Sequence, residues 1–179
     1  FLTDTLDVVE SKVKDGEYFS KMCLRLGLDS GKGYALTEAC GEVFDVRKLR
    51  AGNTVRAYYT KDSLARDLQY IVYVNNRTTS TVFRTFDSLA VWKAELPVYN
   101  ERKVADVTIN SSLWNDMQAS GASILAILKL SDIYAWTVDF FGLQKGDRFR
   151  LIYNQRVCEG DVIDVDTVYF AIYTSDGKD

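Results

Sequence analysis

The sequence predicts an α+β protein. A strand–helix–helix–strand unit is extended by antiparallel strands, and a second α+β domain follows with a helix pair packed on an antiparallel sheet. Three observations carry this expectation. Apolar residues alternate over some stretches and recur at helical spacing over others. Gly- and Asn-containing breaks separate those stretches. The chain of 179 residues is 47% hydrophobic and 26% charged, with one proline and no Ser/Gly-rich run, so it buries a core and has no long disordered linker.

The elements follow in order. Leu6 to Val13 alternates as a strand does, and Lys14-Asp15-Gly16-Glu17 turns the chain. Phe19, Met22, Cys23 and Leu26 then recur at helical spacing, and Gly27 is a C-terminal stop. Asp29 or Ser30 caps a second helix carrying Ala35, Leu36, Ala39 and Cys40, ended by Gly41. Arg50-Ala51-Gly52-Asn53 is a turn into a strand with Val55, Ala57 and Tyr59 on one face. Helices this short are marginal alone and must pack on the strand pair. Three further strands are expected at Leu68–Val74, Ser80–Phe86 and Leu89–Lys93. Asn75-Asn76 reads as a two-residue hairpin turn, because Asn tolerates positive φ. The single proline marks a domain boundary at Leu96-Pro97, giving domains 1–96 and 97–179.

The second domain opens with a strand over Val98–Ile109. Asn110 or Ser111 caps a helix with Leu113, Trp114 and Met117, and Ser120-Gly121 breaks it. A longer helix is expected from Ser123 to Phe141. It is apolar nearly all round, with one polar stripe at Lys129, Asp132 and Asp139, and reads as a central helix wrapped by sheet. The stripe interrupts the apolar run, so this is not a membrane span. Lys145-Gly146-Asp147 turns into a strand with Phe149, Leu151 and Tyr153 on one face. Glu159-Gly160-Asp161 turns the chain back into a last strand with Val168, Phe170 and Ile172 on one face.

The sequence contains no histidine, which removes Ser-His-Asp and Cys-His nucleophile pairs and His-ligated zinc. Its net charge of −3 argues against a nucleic-acid partner. The basic cluster Arg47, Lys48, Arg50 and Arg56 reads as a solvated face. Cys23, Cys40 and Cys158 form no CxxC; Cys23 and Cys40 fall on apolar helix faces, where a buried thiol is the default. Paired carboxylates at Asp132/Asp139, or among Asp161, Asp164 and Asp166, would need an apolar pocket to act as a general acid. The acidic hairpin reads instead as edge-strand protection. Gly31-Lys32-Gly33 is too short to cradle a phosphate. The chain begins at Phe1 rather than Met and carries no signal peptide, which reads as a processed or cut product.

Two stretches resemble a known family. "VVESKVKDGEYFSKMCLRLGL" followed by "FDVRKLRAGNTVRAYY" resembles a LysM-like or opacity-associated-protein-A-like module. "INSSLWNDMQASG" with "LSDIYAWTVDFFGLQKGDRFRLIY" is similar to the domain preceding the catalytic domain in lysostaphin-type murein zinc metalloendopeptidases. The resemblance implies a non-catalytic regulatory and targeting region in the periplasm or cell envelope. Its partners would be its own peptidase domain, whose groove it covers, and peptidoglycan glycan. Zinc is expected in that catalytic domain and no cofactor in this chain. The alternative is a stand-alone envelope glycan-binding or scaffold protein. In LysM-type recognition, backbone groups of two turns meet N-acetyl groups. Here those turns imply a glycan site at Asp15, Gly16, Glu17 and Tyr18, together with Arg50, Ala51, Gly52 and Asn53.

Overall fold

Strand β1 (Leu6–Lys12) pairs antiparallel with β2 (Thr54–Thr60). Between them the chain forms helices α1 (Phe19–Arg25) and α2 (Ser30–Ala39) and a 3-10 turn at Val46–Lys48. Strands β3 (Leu68–Val74), β4 (Thr79–Arg84) and β5 (Ala90–Glu95) extend the pair into a five-stranded antiparallel meander, ordered β1-β2-β3-β4-β5. The computed structural model describes residues 5–61 and 66–175. The chain falls into two units, 1–96 and 97–179.

In the first unit the helical periodicity of the sequence becomes a buried stripe. Phe19, Met22 and Cys23 of α1 and Leu36 of α2 pack on Val55, Ala57, Ile71, Tyr73 and Phe83 of the sheet. Phe83 is central: its ring lies 5.1 Å from that of Phe19 and 5.4 Å from that of Phe44, the latter edge-on, the arrangement aromatic quadrupoles favour. Asp29 caps α2 by accepting a hydrogen bond from the Lys32 amide at 2.9 Å. The Tyr59 hydroxyl donates to the Leu26 carbonyl at 2.9 Å, tying the end of α1 to β2.

Cys23, Cys40 and Cys158 are free and buried. A Cβ placed at Gly33 would lie 3.9 Å from the Cys23 Cβ. Cys40 is two helical turns further along α2, about 10 Å, which leaves it outside the roughly 4 Å Cβ separation of a disulfide. Burial pushes the Cys23 thiol up to about 12 and the Cys40 thiol to about 11. Neither is a thiolate at neutral pH.

The second unit is a three-stranded antiparallel sheet ordered β6-β7-β8, from β6 (Val98–Thr108), β7 (Arg148–Cys158) and β8 (Asp161–Thr174). Helices α3 (Leu113–Ala119) and α4 (Ile124–Tyr134) are inserted between β6 and β7. Their apolar sides meet one sheet face through Leu113, Met117, Ala126, Ile127 and Leu130 against Val107, Phe149, Leu151 and Tyr153. The Asp116 carboxylate accepts from the amides of Asn110, Ser111 and Ser112, closing the start of α3. No helix among the described residues is long and apolar enough to cross a membrane.

Four local expectations are corrected. The β3–β4 connection is not a two-residue turn, and neither Asn75 nor Asn76 has positive φ. The Asn76 Oδ1 accepts from the amides of Thr78 and Thr79, both at 2.9 Å, so a side chain organises a longer loop. Helix α3 is capped by Ser112, whose hydroxyl accepts from the Asn115 amide, rather than by Asn110 or Ser111.

The expected helix from Ser123 to Phe141 ends at Tyr134 and lies on the sheet rather than inside it. Val138, Phe140 and Leu143 return to the core. A continued helix would carry Phe140 about 9 Å past Tyr134 along its axis. The turn back leaves Trp136 and Phe141 fully exposed. It also removes Asp139 from the α4 face that Asp132 occupies.

The last strand does not keep Val168, Phe170 and Ile172 on one face. Tyr153 opposes Val168 while Ile152 opposes Phe170, so Tyr169 is an extra residue on β8. That bulge turns Val168 to the core and Phe170 to the open face.

Candidate functional site

The two sequence-marked turns lie side by side at one end of the β1–β2 pair. The Gly52 amide donates to the Val13 carbonyl, and the Val13 amide donates to the Asn53 carbonyl, both at 2.9 Å. Gly16 (φ 67°) and Gly52 (φ 85°) occupy the left-handed region at the two bends. No neighbouring atom would meet an added Cβ at either, so backbone conformation rather than crowding requires glycine there.

Each turn is anchored differently. In the first, Glu17 folds inward; its side chain is 2% exposed. Its carboxylate accepts from the Lys14 amide at 2.9 Å and from Arg25 Nε at 2.6 Å and Nη2 at 3.0 Å. Arg25 also reaches the Ser11 hydroxyl, so one guanidinium joins β1, the turn and α1. The Arg25 hydrogen bond holds the Glu17 carboxyl below the ordinary range, outweighing the upward push of burial. In the second turn, the Tyr73 hydroxyl accepts from the Arg50 amide at 3.1 Å and from Asn53 Nδ2 at 2.9 Å. Asn53 Nδ2 also donates to the Val74 carbonyl.

The structure therefore brings Asp15–Tyr18 and Arg50–Asn53 to one end of the sheet, but their side chains differ in availability. Glu17 and Asn53 are committed to internal bonds. Asp15, Gly16, Tyr18, Arg50, Ala51 and Gly52 are exposed. The amides of Asp15, Gly16 and Ala51 have no hydrogen-bond acceptor among the described residues. These outward donors are what the paired turns offer a ligand.

Two cavities flank the turns. One, about 430 Å³, lies over α1 and α2 and is lined by Tyr18, Leu24 and Tyr34 among others. Tyr34 sits on the exposed side of α2, off the apolar stripe, and that position is the signal a sequence reading could use. The other, about 390 Å³, is lined by Phe44, Lys48, Arg50, Tyr73, Asn75, Asn76 and Lys93, with Glu42, Val43 and Asp45. Residues from three separate segments meet there, which no local motif reveals.

The second unit carries a different surface. Val104, Ile152 and Phe170 form one row across the sheet face away from the helices, all at least partly exposed. Asp132, Asp161, Asp164 and Asp166 lie exposed on the surface, and Asp139, also exposed, lines a cavity with Trp136, Val138, Phe140 and Phe141. Asp147 is the buried carboxylate of this unit. Burial pushes its pKa up, but the Gln144 amide and the Tyr173 and Ser175 hydroxyls, which donate to it, hold it lowered on balance. Among the described residues no three His, Cys, Asp or Glu side chains are grouped to hold a metal. The described residues do not fit a zinc centre.

No family model matches the chain. It is 27% identical over 174 residues to peptidoglycan DD-endopeptidase ShyC of Vibrio cholerae, covering 93% of this chain and 39% of that protein. It is 23% identical over 169 residues to the DD-carboxypeptidase/endopeptidase Mpg of Neisseria meningitidis, covering 89% of this chain and 39% of that protein. The fold is similar to that of Helicobacter pylori Csd3, with a TM-score of 0.60 at 14% identity over 95% of this chain and 45% of that one. It is also similar to a zinc-containing peptidase from Vibrio cholerae, with a TM-score of 0.51 at 14% identity over 92% of this chain and 51% of that one. The chain thus spans about two fifths of the length of the curated relatives it matches, and it fits an N-terminal region of peptidoglycan endopeptidases.

Proposed function

We propose that this chain is a non-catalytic targeting and regulatory region of a cell-envelope peptidoglycan endopeptidase. The observation that carries the reading is the match over nearly the whole chain to only 39% of ShyC, itself named a peptidoglycan DD-endopeptidase. The parent protein is a zinc metalloendopeptidase of the periplasm or envelope, with the zinc held outside this chain. The chain's partners are that peptidase domain, whose groove it covers, and peptidoglycan.

The first unit supplies the glycan contact. Exposed amides at Asp15, Gly16 and Ala51 donate to acetamido carbonyls, while the Glu17–Arg25 pair and the Tyr73–Asn53 bond hold the two turns in register. Donors fixed before binding cost less ordering entropy than mobile ones.

Nuclear magnetic resonance titration with tetra-N-acetylglucosamine tests the contact. Shifts confined to Asp15–Tyr18 and Arg50–Asn53 are expected; shifts elsewhere, or none, contradict it. The gene tests the parentage. The reading frame is expected to continue into a His-x-x-x-Asp and a later His-x-His motif. A stop codon after Asp179 favours the scaffold reading instead. Groove covering is tested by adding the chain to an isolated peptidase domain of a relative and following murein cleavage. Slower cleavage is expected, and an unchanged rate at high concentration counts against covering.

A further inference from the structure

The cavity beside the second turn has a one-sided chemistry. Its floor is aromatic: Phe44 and Tyr73 are nearly fully buried, with ring centroids 5.3 Å apart. Around that floor stand Lys48, Arg50 and Lys93, whose side chains make no hydrogen bond or salt bridge among the described residues. The two asparagines of the lining have their oxygens occupied from within. Asn75 Oδ1 accepts from the Thr81 hydroxyl at 2.8 Å, and Asn76 Oδ1 accepts from two amides. Their NH2 groups are left as donors. The lining acids are Asp45 and Glu42. Asp45 is closed by Arg47, which donates to it from Nε at 2.9 Å and Nη2 at 3.1 Å. Asp45 also feels the charge of Lys48, so with Arg47 counted, two carboxylates stand against four cations.

A cavity rich in donors and poor in acceptors favours a small anion with several acceptor oxygens. Three cations mixed with amides suit isolated carboxylates; a polyanion would also meet the net charge of −3. We propose that this cavity binds free carboxylates of the peptidoglycan stem peptide. The proposal rests on the peptidoglycan reading above and adds a second subsite to it: the turns meet sugar, and the cavity meets peptide. Arg50 stands at the junction, with its amide held by Tyr73 and its residue lining the cavity.

The test is a titration of the whole chain with the tetrapeptide L-Ala-γ-D-Glu-meso-diaminopimelate-D-Ala, followed by amide resonances. Shifts are expected at Phe44, Asn75, Asn76 and Lys93, weakening as salt rises from about 50 to about 200 mM. The peptide with its carboxylates amidated, or a Lys48→Gln/Lys93→Gln chain, should bind about tenfold more weakly. Both substituted lysines are exposed, and an unchanged amide spectrum of the free variant establishes that it is folded. No shift at the cavity, or equal binding of the amidated peptide, overturns the proposal. The saccharide titration reads the turns separately, so loss of peptide binding with glycan binding intact refutes this inference alone. Loss of glycan binding alone refutes the turn assignment and leaves the cavity standing.

Discussion

The two units differ in what surrounds their anchored turns. In the first, bends at one sheet end are fixed by part-buried polar bonds, and the cavity beside the second turn is lined by cations and amide groups, while Leu24 and Tyr34 leave apolar surface over α1 and α2. In the second, Asp116 accepts from backbone amides and Asp147 from one amide and two hydroxyls, and much of what remains free is apolar. Trp136 is 97% exposed, Phe141 102% and Val104 74%. The difference shows where side-chain chemistry has been spent. Unit one uses Glu17, Arg25, Asn53 and Tyr73 to hold its two turns in place. Unit two uses its polar groups to close helix and strand ends.

Substitutions can break that contrast at several depths. The largest effect is expected in the cores. Phe83→Ala in unit one and Phe149→Ala in unit two each remove a fully buried ring and should cost about 3–5 kcal/mol in urea unfolding. A cost below about 1 kcal/mol would show that the ring is not packed as described.

Glu17→Ala should cost about 3 kcal/mol, because it leaves Arg25 and the Lys14 amide without their acceptor. The effect has a pH signature. Folding lowers the Glu17 pKa, so its stabilisation is present above the unfolded value near 4.5 and is lost as pH falls through the lower folded value. The Ala variant should lack that acid-side loss. Equal acid sensitivity in both chains would remove Glu17 as the anchor of the first turn.

Gly52→Ala forces a side chain into positive φ without a clash, so a loss of about 1 kcal/mol is expected. A stabilised variant would mean that the second turn adopts another conformation. The smallest effect should come from Phe141→Ser. It stands eight residues before Phe149 in the chain yet is fully exposed, and stability should change by no more than about 0.5 kcal/mol. A loss comparable with that of Phe149→Ala would place Phe141 in a core.

Much of the fold was legible because local pattern and tertiary burial agree. Phe19, Met22 and Cys23 lie on the inner side of α1, as spacing alone implies, and of the two candidate caps Asp29 and Ser30 it is Asp29 that caps α2. The failures have a common cause, which is that the return path of the chain is not periodic. Val138 and Phe140 continue a helical pattern in sequence but reach the core only if the helix stops. Phe170 alternates correctly until one extra residue on β8 reverses its face. At the candidate site, both turns were legible as bends. The inward fold of Glu17 was not, since an acid beside a glycine turn reads as solvated until Arg25 is seen across from it. The cation-lined cavity was illegible for the same reason: Lys48, Arg50 and Lys93 converge only through the sheet.

The most direct test of the central claim is co-sedimentation of the chain with purified peptidoglycan sacculi. The account predicts that the chain pellets with the sacculi and is released by soluble muropeptides. A chain that stays in the supernatant, at low salt and with sacculi in excess, would contradict a peptidoglycan-targeting role.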